Sequence, residues 1–160
     1  MHSQVPAKPL VLIVEDSEDH VFLLRLAFER AGIGNPVRAV SSGEEAIAYL
    51  GGTGGFFDRA MFPLPLVVLL DLKMPGKDGL EVLEWIRKQP GLKGLMVVML
   101  SSSDLARDVN LAYELGVNAF LTKPIDLDRL VEMMRAFRDF FLCAATPPDV
   151  SRGKELNQAG

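Results

Sequence analysis

The stretch "VVLLDLKMPGKDGLEVL" (residues 67–83) runs four apolar residues straight into an aspartate, then turns through Lys-Met-Pro-Gly into a second apolar-periodic segment. An aliphatic run of that length without a polar break reads as a parallel strand covered on both faces. Asp78 with Glu81 then offers a helix start ahead of Leu83 and Ile86. An ionised carboxylate at the end of a buried strand is costly unless a cation or hydrogen-bond donors meet it. Asp71 therefore requires a partner, and the rest of the chain has to supply it.

Outward from this unit, the same strand-then-helix alternation repeats five times. "LVLIV" (10–14), "VRAV" (37–40), "LVVLL" (66–70), "LMVVML" (95–100) and "NAFL" (118–121) are the strand candidates. Ser17 can cap a helix that carries Glu18 and Asp19 in its first turn and Val21, Leu24, Phe28 and Ala31 on one face. Ser42 with Glu45 has capping-box spacing before "AIAYL", and "QPG" (89–91) stops the third helix. Leu105, Val109 and Ala112 mark a fourth helix ending at Gly116, and Leu127, Leu130, Met134, Phe137 and Phe141 a fifth. The pattern is (βα)5, an α/β doubly wound sheet with helices on both faces. Ligands gather beyond the carboxyl ends of the strands in such a sheet.

Composition narrows the function classes. With 160 residues, of which 49% are hydrophobic, the chain suits one domain with a real core. A net charge of -4 gives no general attraction to nucleic acid or to anionic membrane. No apolar run approaches the roughly 20 residues of a membrane helix, and Cys143 has no cysteine partner in the chain. A soluble, cytoplasmic protein is the expectation. The glycines of "GGTGGFFDRAMFPLP" (51–65) follow a helix and match no phosphate-binding pattern, so the segment reads as a long surface loop. Phe56, Phe57, Met61 and Phe62 imply that it folds back on the domain or covers a partner. Residues 1–8 and 143–160 read as loose ends around a domain over 9–142.

Three carboxylates, Glu15, Asp16 and Asp71, stand after the first and third strands. They repel one another in a shared cleft unless a divalent cation sits among them, and oxygen ligands with room for water suit Mg2+. Asp71 can also act as a nucleophile toward phosphorus, with Lys123 supplying an ammonium and Ser101 a hydroxyl. Taken singly, each residue has a plainer reading as a solvated acid, a surface lysine or a helix cap. Their joint placement at one end of a parallel sheet carries the chemistry.

"LIVEDSEDH", "LLDLKMPGKDGLEVL", "VVMLSSSD" and "NAFLTKPI" together resemble the receiver domain of two-component response regulators over roughly residues 9 to 141. The resemblance implies a flavodoxin-like fold with strand order 2-1-3-4-5. It implies a phosphoacceptor role for Asp71 and Mg2+ binding by Glu15, Asp16, Asp71 and the backbone carbonyl of Lys73. It further implies that Lys123 pairs with the phosphoryl group, that Ser101 and Phe120 are the switch pair, and that the Lys123–Pro124 bond is cis. On this reading the chain is no enzyme beyond its own phosphorylation and dephosphorylation.

Glu15 replaces the commoner first aspartate of the acidic pair, and its extra methylene allows a water-mediated contact. Lys73 and Ser103 are expected to border the attacking water without orienting it, which favours a persistent phosphoryl group. The 51–65 insertion and the "VEDSEDH" opening resemble single-domain receivers serving bacterial phytochrome-type histidine kinases, the upstream partner this implies. Residues after 141 leave no room for a DNA-binding domain, so output is expected through a protein partner. The apolar excess of the fifth helix, Met133, Phe137, Phe140 and Phe141, reads equally as a wide core face or a contact surface. A homodimer through the fourth helix, fifth strand and fifth helix stays open. Three other classes compete: an aspartate-nucleophile phosphatase, a receiver-like module that is never phosphorylated, and a flavin carrier of the same architecture. Lys73 stands where the phosphatase needs an acid, and Glu15 and Asp16 oppose a flavin phosphate.

Overall fold

The computed structural model describes residues 8–150. Of the expected loose ends, 1–8 and 143–160, residues 1–7 and 151–160 lie outside the described residues. Five strands, β1 (Val11–Val14), β2 (Val37–Val40), β3 (Val67–Leu70), β4 (Met96–Ser101) and β5 (Ala119–Thr122), alternate with five helices. These are α1 (Glu18–Arg30), α2 (Gly43–Gly51), α3 (Gly79–Lys88), α4 (Ala106–Glu114) and α5 (Leu127–Phe137). All strand pairs are parallel, in the order β2-β1-β3-β4-β5.

The period of two along each strand splits the core into two layers. Leu12, Val14, Val68, Leu70, Val97 and Met99 face α2 and α3 residues such as Tyr49, Leu50, Leu83 and Ile86. Val11, Ile13, Val67, Leu69, Val98 and Leu100 face α1 and α5 residues such as Leu24, Phe28, Met134 and Phe137. Every side chain of β1 and β3 is buried, so each strand needs apolar residues at consecutive positions. Among the described residues no helix is long and apolar enough to cross a membrane.

The helix starts follow the polar signals with one shift. Ser17, Ser42 and Asp78 each accept a backbone N–H, from His20, Glu45 and Glu81, a cap worth about 1 kcal/mol. The reciprocal half of the α2 box is displaced: Glu45 accepts from the backbone of Ser41, 3.0 Å away, instead of Ser42. The serines after β4 are not caps, because Leu105 occupies the cap position of α4 without a side-chain bond.

The 51–65 segment folds back on α2. Phe56 and Phe62 pack around Tyr49, one tilted and one edge-on, with centroids 5.2 and 6.0 Å away. Arg59 donates to the carbonyls of Tyr49 and Leu50 at the end of α2, both at 2.7 Å, the first of which also accepts the Gly52 N–H. Phe57 and Met61 stay exposed.

After Phe137 the fifth helix widens into a π-helical turn, Arg138–Ala144. Arg138 there donates to the carbonyl of Ala31 at the end of α1. Phe137 is buried and Met133 and Phe141 pack against the α1/α5 core layer, while Phe140 is exposed. Most of the apolar excess of this helix is therefore core. Residues 145–150 form neither helix nor strand, yet Val150 packs against the other core layer.

Candidate functional site

Backbone pairing runs one residue past the strands and sets the site. The N–H of Glu15 donates to the Val40 carbonyl and that of Asp71 to Val14, at 3.1 and 3.0 Å. The N–H of Lys123 donates to the Ser101 carbonyl at 2.8 Å. Glu15 and Asp71 thus emerge side by side at the carboxyl rim of the sheet, with Lys123 beside Ser101 across the intervening β4. The "KMPGKDG" turn then leads α3 away. Gly76 has φ +72, a conformation open to glycine, and a Cβ on Gly79 would collide with the Asp71 carbonyl oxygen.

Around this rim lies a cleft of about 270 Å3 lined by Glu15, Asp16, His20, Asp71, Lys73, Ser101 and Lys123, among others. One oxygen from each of Glu15, Asp16 and Asp71 lies within 4.8 Å of the others. Glu15 and Asp71 are buried and Asp16 is exposed. Lys123 Nζ sits 2.6 Å from Glu15 Oε2 and 3.6 Å from Asp71 Oδ1. The partner that Asp71 requires is this ammonium, shared with Glu15.

That sharing is incomplete. Burial pushes the Asp71 carboxyl up to about 6; the Lys123 charge opposes this, and the Glu15 charge and hydrogen bond add to it. Glu15 moves the other way. Burial opposes its ionisation, but the hydrogen bond and charge of Lys123, the Ser17 N–H and His20 together hold it below the usual carboxylate range. Two buried carboxylates thus share one ammonium, and with Asp16 their oxygen set and spacing fit a divalent cation.

The lysine reaches this position without the expected backbone isomer. No peptide bond among the described residues is cis, so Lys123–Pro124 is trans. Trans is the ordinary preference of an X–Pro bond, by about 0.5–1 kcal/mol, and the side chain spans the remaining distance.

Ser101 is buried at the end of β4, and its Oγ accepts the Ser103 N–H at 3.1 Å. Phe120 is half-buried against the α2/α3 core layer, its N–H donating to the Tyr113 hydroxyl at 3.1 Å.

The chain matches the family model described as the response regulator receiver domain over residues 11–135. It belongs to the response regulator receiver family. Response regulator Rcp1 of Synechocystis is 36% identical over 139 residues, covering 87% of this chain and 92% of the relative. The phosphorylated cyanobacterial phytochrome response regulator RcpA superposes with a TM-score of 0.82 at 36% identity, covering 89% of this chain and 100% of that one. The Mn(2+)-bound form of Rcp1 gives 0.79 at 36% identity, with 88% and 99% covered. This receiver is thus related to phytochrome response regulators.

Two residues of the receiver site were not singled out by sequence. His20 Nδ1 accepts from the Lys123 ammonium at 3.2 Å and lies 3.6 Å from Glu15 Oε1. Its place at the first turn of α1, facing the acidic pair, was the available signal. Asp108 is buried in the first turn of α4, where its Oδ2 accepts the Ser103 hydroxyl at 3.1 Å and lies 3.6 Å from Lys73 Nζ. An acid in a first turn reads as a solvated helix start, so nothing local marked it.

Proposed function

We propose that this receiver accepts a phosphoryl group on Asp71 from a sensor histidine kinase and signals through phosphorylation-dependent protein contact. The observation that carries the reading is the grouping of the Glu15, Asp16 and Asp71 oxygens within 4.8 Å, with Lys123 Nζ beside two of them. Glu15, Asp16, Asp71 and the Lys73 carbonyl would hold Mg2+. When bound, the ion supplies positive charge against the transferring phosphoryl oxygens.

The chain's own residues do the rest. An Asp71 oxygen attacks the phosphorus of a phosphohistidine, the P–N bond breaks, and its electron pair returns to the imidazole nitrogen. Lys123 then pairs with the new negative charge beside Asp71. The Ser101 hydroxyl turns to donate to a phosphoryl oxygen, which takes its acceptor away from the Ser103 N–H. Phe120 moves into the space that hydroxyl leaves. The face of α4, β5 and α5, where Leu105, Leu111, Tyr113 and Ile125 are exposed, then differs between the two states. A downstream protein or a second copy that prefers one state shifts the population.

The phosphatase alternative is disfavoured by Lys73, whose ammonium is turned to Asp108 where a proton-donating acid is required. To test the reading, the protein is exposed to a small phosphodonor with Mg2+, and the modified residue is located by mass spectrometry. The label is expected on Asp71 and absent from Asp71→Asn. A label on another residue, or none, overturns it.

The similarity to phytochrome response regulators supports a phytochrome-type kinase as the donor. Phosphotransfer from such a kinase is expected to exceed that from unrelated sensor kinases by about tenfold or more. Equal rates from both would remove the light-sensing assignment and leave the receiver chemistry intact.

A further inference from the structure

The turn after β3 is held by an element that lines no part of the cleft around Asp71. Pro75 and Gly76, the latter at φ +72, fit the two central positions of a type II turn, in which the next N–H commonly returns to the carbonyl three residues back. Here the Lys77 N–H donates instead to Glu44 Oε1 on α2, at 3.0 Å. The approach is close: a Cβ on Gly43 would collide with the Lys77 carbonyl oxygen, and one on Gly76 would meet Glu44 Oε1 at 2.6 Å. Ser42 caps α2 by accepting the Glu45 N–H at 3.0 Å, which fixes the helix start that presents Glu44. The Lys77 N–H holds the Glu44 carboxyl below the usual carboxylate range, so the acceptor is the ionised, stronger one at neutral pH.

We infer that Glu44 is a positioning residue for the metal site: by holding the Lys77 N–H it fixes the turn from which the Lys73 carbonyl is offered to Mg2+. The inference rests on the proposed Mg2+ ligand set, to which it adds a residue from a helix that supplies no ligand.

The rest of the turn shows why its tip needs this hold. At the base the Gly79 N–H donates to the Leu72 carbonyl at 2.9 Å, and Met74 is buried in the α2/α3 core layer. Pro75, Gly76 and Lys77 are exposed, and a glycine among them leaves the backbone free to swing. Glu44 supplies the third anchor. Lys73, which lines the cleft with Glu15, Asp16 and Asp71, is then confined between fixed points. Mg2+ demands near-octahedral ligands at about 2.1 Å, so a carbonyl that wanders forfeits affinity.

Mg2+ binding to the full chain is measured by titration calorimetry in the parent, Glu44→Ala and Glu44→Gln, and urea unfolding in chelator is followed alongside. Glu44 is exposed, so neither substitution disturbs the core. Alanine leaves the Lys77 N–H without its acceptor, whereas the amide oxygen of glutamine can still take it. Glu44→Ala is expected to weaken Mg2+ binding by about three- to tenfold, and Glu44→Gln to stay within about twofold of the parent. That order separates positioning from two simpler effects. A merely structural role would lower the unfolding midpoint in chelator and leave the Mg2+ affinity of the folded protein unchanged. A general attraction of the Glu44 charge for the cation would be lost equally in both variants. Parental Mg2+ affinity in Glu44→Ala, or equal weakening in the two variants, overturns the positioning role and leaves the metal site standing. Failure of the parent to bind millimolar Mg2+ overturns both.

Discussion

Lys123→Ala is expected to slow phosphoryl transfer to Asp71 by about 100-fold or more and to destabilise the metal-free protein at pH 7 by about 3 kcal/mol. Both effects come from one atom. Lys123 Nζ is within 3.6 Å of two buried carboxylates, and its side chain is only 14% exposed. Without it Glu15 and Asp71 face each other with no lysine or arginine pairing either of them among the described residues. A buried charge stripped of its partner costs far more than the pair was worth. The variant then has two ways out, to take up protons or to take up a cation.

The second way separates the two roles. Millimolar Mg2+ is expected to return most of the lost stability in urea unfolding, because a divalent ion among three carboxylates replaces the missing charge. It is not expected to return the rate, since the ammonium also pairs with the phosphoryl group once that group is on Asp71. A variant as stable as the parent in chelator, or one phosphorylated at the parental rate, would show that Lys123 is a bystander.

Why these features differ in how openly the sequence displays them is a matter of interaction range. Val67 to Leu70 announce a strand because covering both faces demands consecutive apolar residues, and Asp71 stands out against that run. Ser17 and Asp78 announce helix starts because a cap is settled within three residues. The strand order and the rim that gathers Glu15, Asp71 and Lys123 come from the parallel crossover rules acting on that alternation. Asp108 was hidden because its partners, Lys73 and Ser103, lie outside its own helix, one of them after another strand. Arg59 was hidden likewise: a lone arginine in a glycine-rich segment gives no local sign that it serves the carbonyls of Tyr49 and Leu50. At Phe141 the apolar spacing persists while the backbone widens into a π turn, a change that periodicity does not register. The isomer expected at Lys123–Pro124 came from resemblance alone, and the lysine's reach did not depend on it.

Asp71→Asn is expected to stabilise the metal-free protein by about 2 kcal/mol above pH 6 and to have little effect below pH 4. The sign follows from the direction of the shift. The folded Asp71 carboxyl titrates at about 6 against 3.8 as its ordinary value, so between those pH values the folded state holds a proton that the unfolded state has released. Folding is then favoured at the acid end of the window, and the contribution disappears as pH rises through 6. Asparagine keeps the shape and stays neutral, so it escapes the cost that ionised Asp71 pays beside Glu15. Glu15, held below its ordinary range, makes a contribution of the opposite sign that is lost on acidification. Subtracting the variant's curve from the parent's isolates residue 71 from that background. The measurement is urea unfolding between pH 4 and 8 in chelator. Repeating it in millimolar Mg2+ is expected to shrink the gap at neutral pH, because the ion stabilises the charged form of the parent and finds one ligand fewer in the variant. A difference between parent and variant that stays flat across the whole range would mean that Asp71 ionises as freely in the fold as out of it. The crowding of negative oxygens would then not be what makes this rim a metal site.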